Sequence, residues 1–225
     1  MSDSSPASSD HPADPTPPAS DRVRLRRKPM RGRHDRATID AIIDASVIGT
    51  VAFVQDGQPY AIPTNVWRQG DRVYWHGSAG SRLVRVSDAS PVCVTLYHLD
   101  GLVLARSATN HSVNFRSVVI LGTAHLVSEP AHIEHALESL IEALYPGRWA
   151  QLRPMTQKER RETGVMYVDL TEASAKLRDE GAHDDPGDET WPVWAGVVPV
   201  TLVRGEPEPD DFVEPGTATP AVRLP

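Results

Sequence analysis

The chain has 225 residues, 40% hydrophobic and 24% charged, with a net charge of −7 at pH 7. That is enough apolar material for a real core. No stretch approaches the ~18 uninterrupted apolar residues of a membrane-crossing helix. One cysteine, Cys93, excludes an intramolecular disulfide and a multi-thiolate zinc site, and the N-terminus lacks the basic-then-apolar pattern of a secretory leader, so a cytoplasmic protein is expected.

The ends are rich in proline, serine and acidic residues and lack apolar periodicity. Residues 1–22 and 205–225 therefore read as disordered tails around a single domain over 23–204. Residues 22–36 carry eight Arg or Lys and residues 179–190 six Asp or Glu. The basic arm has no interleaved aromatics and the total charge is acidic, which argues against nucleic acid as a partner. The expected arm is solvated, or rests on the acidic segment of a partner subunit.

Taken in chain order, residues 36–45 place Ile39, Ile42 and Ile43 on one helical face after an Asp35 cap. Residues 47–54 and 60–67 flank Asp56-Gly57, a hairpin signal, and 72–76 follows a second turn. Residues 81–88 read as a short helix. Residues 92–98 and 102–107 flank Asp100-Gly101, which predicts a third hairpin. Strands are expected at 117–127, 164–170 and 193–203. A helix is expected at 131–145, and Thr156 and Glu159 form a capping box for another. The result is a mainly β, α+β chain whose meander closes into a barrel with peripheral helices.

Three stretches carry candidate chemistry. In 74–82 a strand runs into Gly77, Ser78, Ala79, Gly80 and Ser81, with Arg82 opening a helix. Small residues let backbone N–H groups approach an anion, the hydroxyls add donors and Arg82 a planar cation, a combination suited to phosphate; an ordinary flexible loop has the same composition. Asn114, Arg116 and Ser117 concentrate polar groups where a strand enters the sheet, and could clamp a phosphate or a ring edge, or simply be a solvated connection. At Ile62-Pro63-Thr64, the proline leaves peptide groups unpaired that could bond a flat heterocycle, or marks an edge strand. No histidine spacing matches a compact metal site, and no metal is expected.

The ordered motifs GRHDR, DGQPYAIPT, HGSAGSR, HLDGLVLARS, HSVNFRSVV, PGRW and PVWAGV resemble the flavin-nucleotide-binding branch of the pyridoxamine 5'-phosphate oxidase-like superfamily, close to the nitroimidazole-resistance proteins. The resemblance covers residues 23–204. It implies an FMN-binding split β-barrel that dimerises with FMN between subunits. Ser78, Ser81 and Arg82, with Arg116 and Ser117, would take the phosphate. The backbone at Ile62, Pro63 and Thr64 would face the isoalloxazine, His76 would carry redox proton chemistry, and Trp194 would reach the partner's flavin. The family's C-terminal substrate-phosphate motif is replaced here by Trp194-Ala195-Gly196-Val197-Val198-Pro199. The expected activity is therefore reduction of a small acceptor such as a nitro compound or quinone, with NAD(P)H as donor, and not oxidation of pyridoxamine phosphate. The alternative is a non-catalytic flavin, deazaflavin or haem-binding module, with His76, His98 or His111 as axial ligand.

Overall fold

The computed structural model describes residues 16–223. Among them ten strands form one sheet that curls into a barrel: β1 (Gly32–Arg33), β2 (Ile48–Gln55), β3 (Gln58–Gln69), β4 (Arg72–Ser78), β5 (Pro91–Leu104), β6 (Ser112–Thr123), β7 (His125–Leu126), β8 (Thr163–Asp169), β9 (Glu172–Arg178) and β10 (Gly196–Pro199). Four α-helices accompany them: α1 (Arg36–Asp44), α2 (Arg82–Ser87), α3 (Pro130–Leu144) and α4 (Gln157–Glu162). The strand order is β1-β9-β6-β5-β2-β3-β4-β8-β7, with β10 added to β5. Consecutive strands β8 and β9 do not pair. β8 joins β4 and β9 joins β6, so the barrel is split at that point.

Local chemistry accounts for the elements. Asp56 and Gly57 both take positive φ, 52° and 77°, as a tight hairpin between right-twisted strands requires. Asp35 caps α1 by accepting from the Thr38 N–H at 2.8 Å, and Ile39, Ile42 and Ile43 are buried as the periodicity predicts. Thr156 and Glu159 complete the capping box of α4. β3 pairs with β2 over its first part and with β4 only from Val66 onward. Pro63 thus sits where one side of its strand lacks a ladder, the edge position that a residue without an N–H can occupy.

The barrel interior is filled by inward side chains, among them Val51, Phe53, Val66, Val73, Trp75, Val94, Leu96, Val118, Ile120 and Val168, and is plugged by the isoleucines of α1. A second cluster lies outside the barrel: Trp67, Tyr74 and Val165 pack under Ile133, Ala136 and Leu140 of α3. The apolar face of α3 therefore covers the sheet's outer surface, and it is this placement that creates a cavity beside His76.

Three expectations are corrected. The third hairpin does not form. β5 runs straight through Asp100-Gly101, with a register irregularity between Leu99 and Gly101. Arg116 on the neighbouring strand holds Asp100 in place, and β10 lies against Gly101, where an added Cβ would come within 3.0 Å of Val197. Strand β9 was not foreseen. Its inward residues are Ala173 and Ala175, small helix-favouring side chains that hide a strand until a barrel wall selects them. The strand at 193–203 shrinks to β10, and 200–223 contains no helix or strand.

The basic arm reaches its own chain's acidic segment through Arg31. Arg31 pairs with Glu180, with Nε donating to Oε1 at 2.8 Å, and both are largely buried. The Arg31 hydrogen bonds draw the Glu180 carboxyl down to about 2 from its ordinary 4.5. Because the folded-state value is depressed, the stabilisation is present above pH 4.5 and is lost as pH falls toward 2. Glu180→Gln is expected to remove roughly 1–2 kcal/mol at neutral pH, after solvent screening, and to flatten the acid limb of melting temperature against pH. An acid limb identical to that of the parent protein would count against this pairing.

Candidate functional site

Two regions, on opposite sides of β4, could hold ligands. The first is the turn from β4 into α2. Ser78 Oγ accepts from the Gly80 N–H at 3.4 Å, Ser81 Oγ caps α2 by accepting from the Val84 N–H at 3.3 Å, and the Arg82 guanidinium stacks 4.4 Å over the Tyr60 ring. Arg82 forms no ion pair among the described contacts, which leaves its donors available to an anion.

Beside this turn lies a flat field of small side chains. Strand alternation turns Val51 and Phe53 inward and Thr50 and Ala52 outward. Thr50 lies between Pro63 and Thr95, and Ala52 between Ala61 and Cys93. Val119 and Leu121 extend the field across β6. A planar ring can lie on such a surface without displacing a side chain. Burial raises the Cys93 thiol above its ordinary range, so it stays protonated there.

The second region is a cavity of about 840 Å³ on the far side of β4. Leu137, Leu140 and Ile141 of α3 form one wall; Trp149, Leu152 and Met155 form the other; and His76 and Thr163 lie on the sheet between them. Two arginines stand at its rim, each already paired: Arg153 Nη1 donates to Glu159 at 2.9 Å and Arg160 Nε donates to Glu134 at 2.6 Å. Arg153 and the capping hydroxyl and N–H of Thr156 hold the Glu159 carboxyl far below the usual carboxylate range.

His76 is the distinctive group. Its Nδ1 is buried without a hydrogen-bond partner, and burial lowers its pKa, so the ring is neutral at neutral pH with a lone pair to offer. The other two candidate axial histidines do not line this cavity. His98 lies 2.8 Å from Ser46 Oγ, and His111 Nδ1 lies 2.9 Å from the Ser107 carbonyl. A buried imidazole with an orphaned nitrogen, in an apolar cavity with cations at its mouth, fits a haem: an axial ligand, greasy walls and partners for the propionates.

The structure thus divides the predicted residues. It brings Ser78, Ser81 and Arg82 together, and places Pro63 on the flat field while Ile62 and Thr64 alternate away from it. Thr64 Oγ1 donates to the His76 carbonyl at 3.4 Å. His76 faces the cavity under α3, on the opposite side of β4 from α2. Gly77 faces α2 itself: it pairs with Gly164 across β4 and β8, and the two form a notch for Val84. Within one chain Asn114, Arg116 and Ser117 do not join the phosphate turn, because β5, β2 and β3 intervene. Asn114 is buried and accepts from Arg178 and from the Glu180 N–H; Arg116 is bound to Asp100, its Nη2 donating at 2.9 Å; and Ser117 donates to the Lys176 carbonyl. Trp194 is exposed, its ring against Gly196. Sequence reading missed the cavity residues Trp149, Met155 and Thr163. The PGRW motif was their only signal, since nothing in a linear pattern shows which helix face meets which loop.

Residues 35–177 match the family described as pyridoxamine 5'-phosphate oxidase. The chain belongs to that family. The flavocytochrome Anf3 of Azotobacter vinelandii is 41% identical, over 90% of this chain and 95% of that one, with a TM-score of 0.86. The FAD- and haem-binding protein of Mycobacterium smegmatis is 34% identical, over 84% of this chain and 94% of that one, with a TM-score of 0.80. A Bacteroides thetaiotaomicron protein assigned to 5-nitroimidazole antibiotic resistance shares the fold at 19% identity and a TM-score of 0.53, over 64% of this chain and 84% of that one. No curated protein sequence matches the chain. The split-barrel expectation holds. Among the described residues no helix is long and apolar enough to cross a membrane.

Proposed function

We propose that the chain is a flavin- and haem-binding oxidoreductase, a dimer that passes electrons to a small acceptor. The observation that carries this reading is His76, a neutral imidazole with an orphaned nitrogen, in an apolar cavity and on the same strand, β4, that ends in the small, hydroxylated turn. The names of the relatives at 41% and 34% identity support it, one being a flavocytochrome and the other binding FAD and haem. The resemblance alone implied FMN; the relative named for FAD supports the dinucleotide here.

Ser78, Ser81 and Arg82 would hold the flavin phosphate and the field around Pro63 and Thr50 its ring, with Trp194 reaching the flavin of the partner subunit. His76 would ligate the iron, and Arg153 and Arg160 would exchange their glutamates for the propionates. The flavin supplies two-electron and one-electron chemistry, and the haem one-electron chemistry. The chain's own work is to bind and orient these groups, to keep His76 neutral and to exclude water with the apolar face of α3. The exposed Ile48, Tyr97 and Val119 on the outer face form the surface through which two copies would meet.

The test is the absorption spectrum of the purified protein, with mass spectrometry of the released ligands and sedimentation of the same sample. A Soret band together with blue and near-ultraviolet flavin bands, in a dimer, is the expected result. A colourless protein that takes up neither group would defeat the reading, and failure to oxidise NAD(P)H with quinone or nitro acceptors would restrict it to a carrier. Arg82→Ala is expected to weaken flavin affinity about tenfold to a hundredfold, the loss of one charge-assisted contact of ~1.5–3 kcal/mol, as measured by fluorescence titration.

A further inference from the structure

An aromatic row crosses the sheet from the His76 cavity to the surface. Trp67, Tyr74, Tyr167 and His125 occupy one rung, each paired with the next across β3, β4, β8 and β7. Their ring centroids are 5.8, 5.6 and 5.2 Å apart in that order. The inner end meets His76, whose ring centroid is 5.9 Å from that of Trp67. Trp67 and Tyr74 are buried, while Tyr167 and His125 are half-exposed. α3 covers the row and gives it a proton acceptor: Tyr74 Oη lies 3.1 Å from Nε2 of His132.

Ring packing under a helix explains apolar contact. It does not call for a phenol in the buried second position, where phenylalanine would pack as well, nor for an imidazole set against that hydroxyl. Tryptophan and tyrosine are the side chains most readily oxidised by one electron, and rings in near contact exchange electrons fast. A tyrosine gives up its electron far more easily when its proton has somewhere to go, and a hydrogen-bonded imidazole is such a place near neutral pH. Farther out, the Arg72 guanidinium lies 4.1 Å over the Tyr167 ring. A cation there disfavours positive charge on the ring, so Tyr167 must release its proton along with its electron, and its half-exposed position allows it to do so into water.

We propose that this rung is a relay that drains one-electron oxidising equivalents from the His76 cavity to the protein surface. The proposal rests on the reading that haem occupies that cavity, and the oxidant is the one produced there when a hydroperoxide is reduced. In the first step Tyr74 gives one electron inward, through Trp67 and His76, and its phenolic proton passes to Nε2 of His132; the oxidant takes up the electron together with a proton from solvent. In the second step Tyr167 gives one electron to the Tyr74 phenoxyl, which recovers its proton from His132, and the Tyr167 proton leaves to water. A surface reductant such as a thiol or ascorbate then returns an electron and a proton to Tyr167 and is itself oxidised by one electron. The relay spares the cavity from self-oxidation when the acceptor is absent.

The experiment mixes the purified haem-containing protein with hydrogen peroxide and follows three signals: the tyrosyl radical by freeze-quench electron paramagnetic resonance, spin-trap adducts by peptide mass spectrometry, and bleaching of the Soret band. The parent protein is expected to show a tyrosyl signal and an adduct on Tyr167. Tyr74→Phe keeps the ring in the rung and is expected to lose the Tyr167 adduct and to bleach several-fold faster. Trp67→Phe is expected to do the same. His132→Gln, which still accepts a hydrogen bond but is no base, is expected to lower the radical yield. A normal Soret band with the same adduct and bleaching rate in Tyr74→Phe as in the parent overturns the relay alone. Absence of a Soret band overturns the haem reading, and the relay with it.

Discussion

Replacing His76 by alanine is expected to strip the protein of haem while leaving its flavin bound. The side chain lines the cavity under α3, away from α2 and the Ser78–Arg82 turn, so its removal leaves that turn and the flat field of β2, β3 and β5 untouched. Of the three histidines that could serve as an axial ligand, it alone lines this cavity and has a buried nitrogen without a partner. With haem bound as proposed, loss of His76 would remove a bond to the iron, not merely a packing contact, so near-complete disappearance of the Soret band is expected, with the flavin bands unchanged. Added imidazole should restore part of the Soret band by entering the vacated space. An unaltered Soret band in His76→Ala would move the ligand to another residue. Parallel loss of both chromophores would show that His76 supports the fold and not the iron alone.

The second large effect is expected from a residue with no side chain. Gly164 on β8 pairs with Gly77 on β4, and α2 sits on this pair through Val84. A Cβ at Gly164 would lie 2.6 Å from Val84 Cγ1 and 3.0 Å from Cγ2. Neither strand can retreat, because β4 and β8 are paired along their whole length and their inward side chains, Trp75 and Met166 among them, are fully buried. The helix must move, and Ser81 and Arg82 move with it. Gly164→Ala is therefore expected to cost ~1–3 kcal/mol by overpacking, read as a lowered denaturation midpoint, and to weaken flavin binding although the residue touches no ligand. Val84→Ala in the same chain should recover much of the flavin affinity by reopening the notch, while carrying its own smaller loss from the core. If the double variant binds flavin no better than Gly164→Ala, the notch is not what positions the turn.

Much of this protein can be read from its residues. The isoleucine triplet and Asp35 specify α1, Asp56-Gly57 specifies the first hairpin, and the Thr156–Glu159 box specifies the start of α4, because each is a local preference that surrounding structure reinforces. The small, hydroxylated turn closed by Arg82 forms as one local unit for the same reason, since its polar groups are neighbours in the chain. Where the outcome depended on distant partners, local chemistry misled. Asp100-Gly101 has the composition of a turn, yet it lies in a straight strand because Arg116 and β10 hold it there. The alanines of β9 favour a helix, yet they are buried in a barrel wall.

The sequence by itself determined the composition of the parts: a barrel-forming set of strands, a small, hydroxylated turn, and histidines and tryptophans whose roles only the family resemblance suggested. Only the tertiary structure decided which histidine is left with a free nitrogen, that Gly77 makes room for a helix, and that Trp67, Tyr74, Tyr167 and His125 stand in one row. The physical reason is that these properties belong to register and to the docking of α3 over the sheet. A one-residue slip in register turns a side chain to the other face, and a helix face has no meaning until something packs against it.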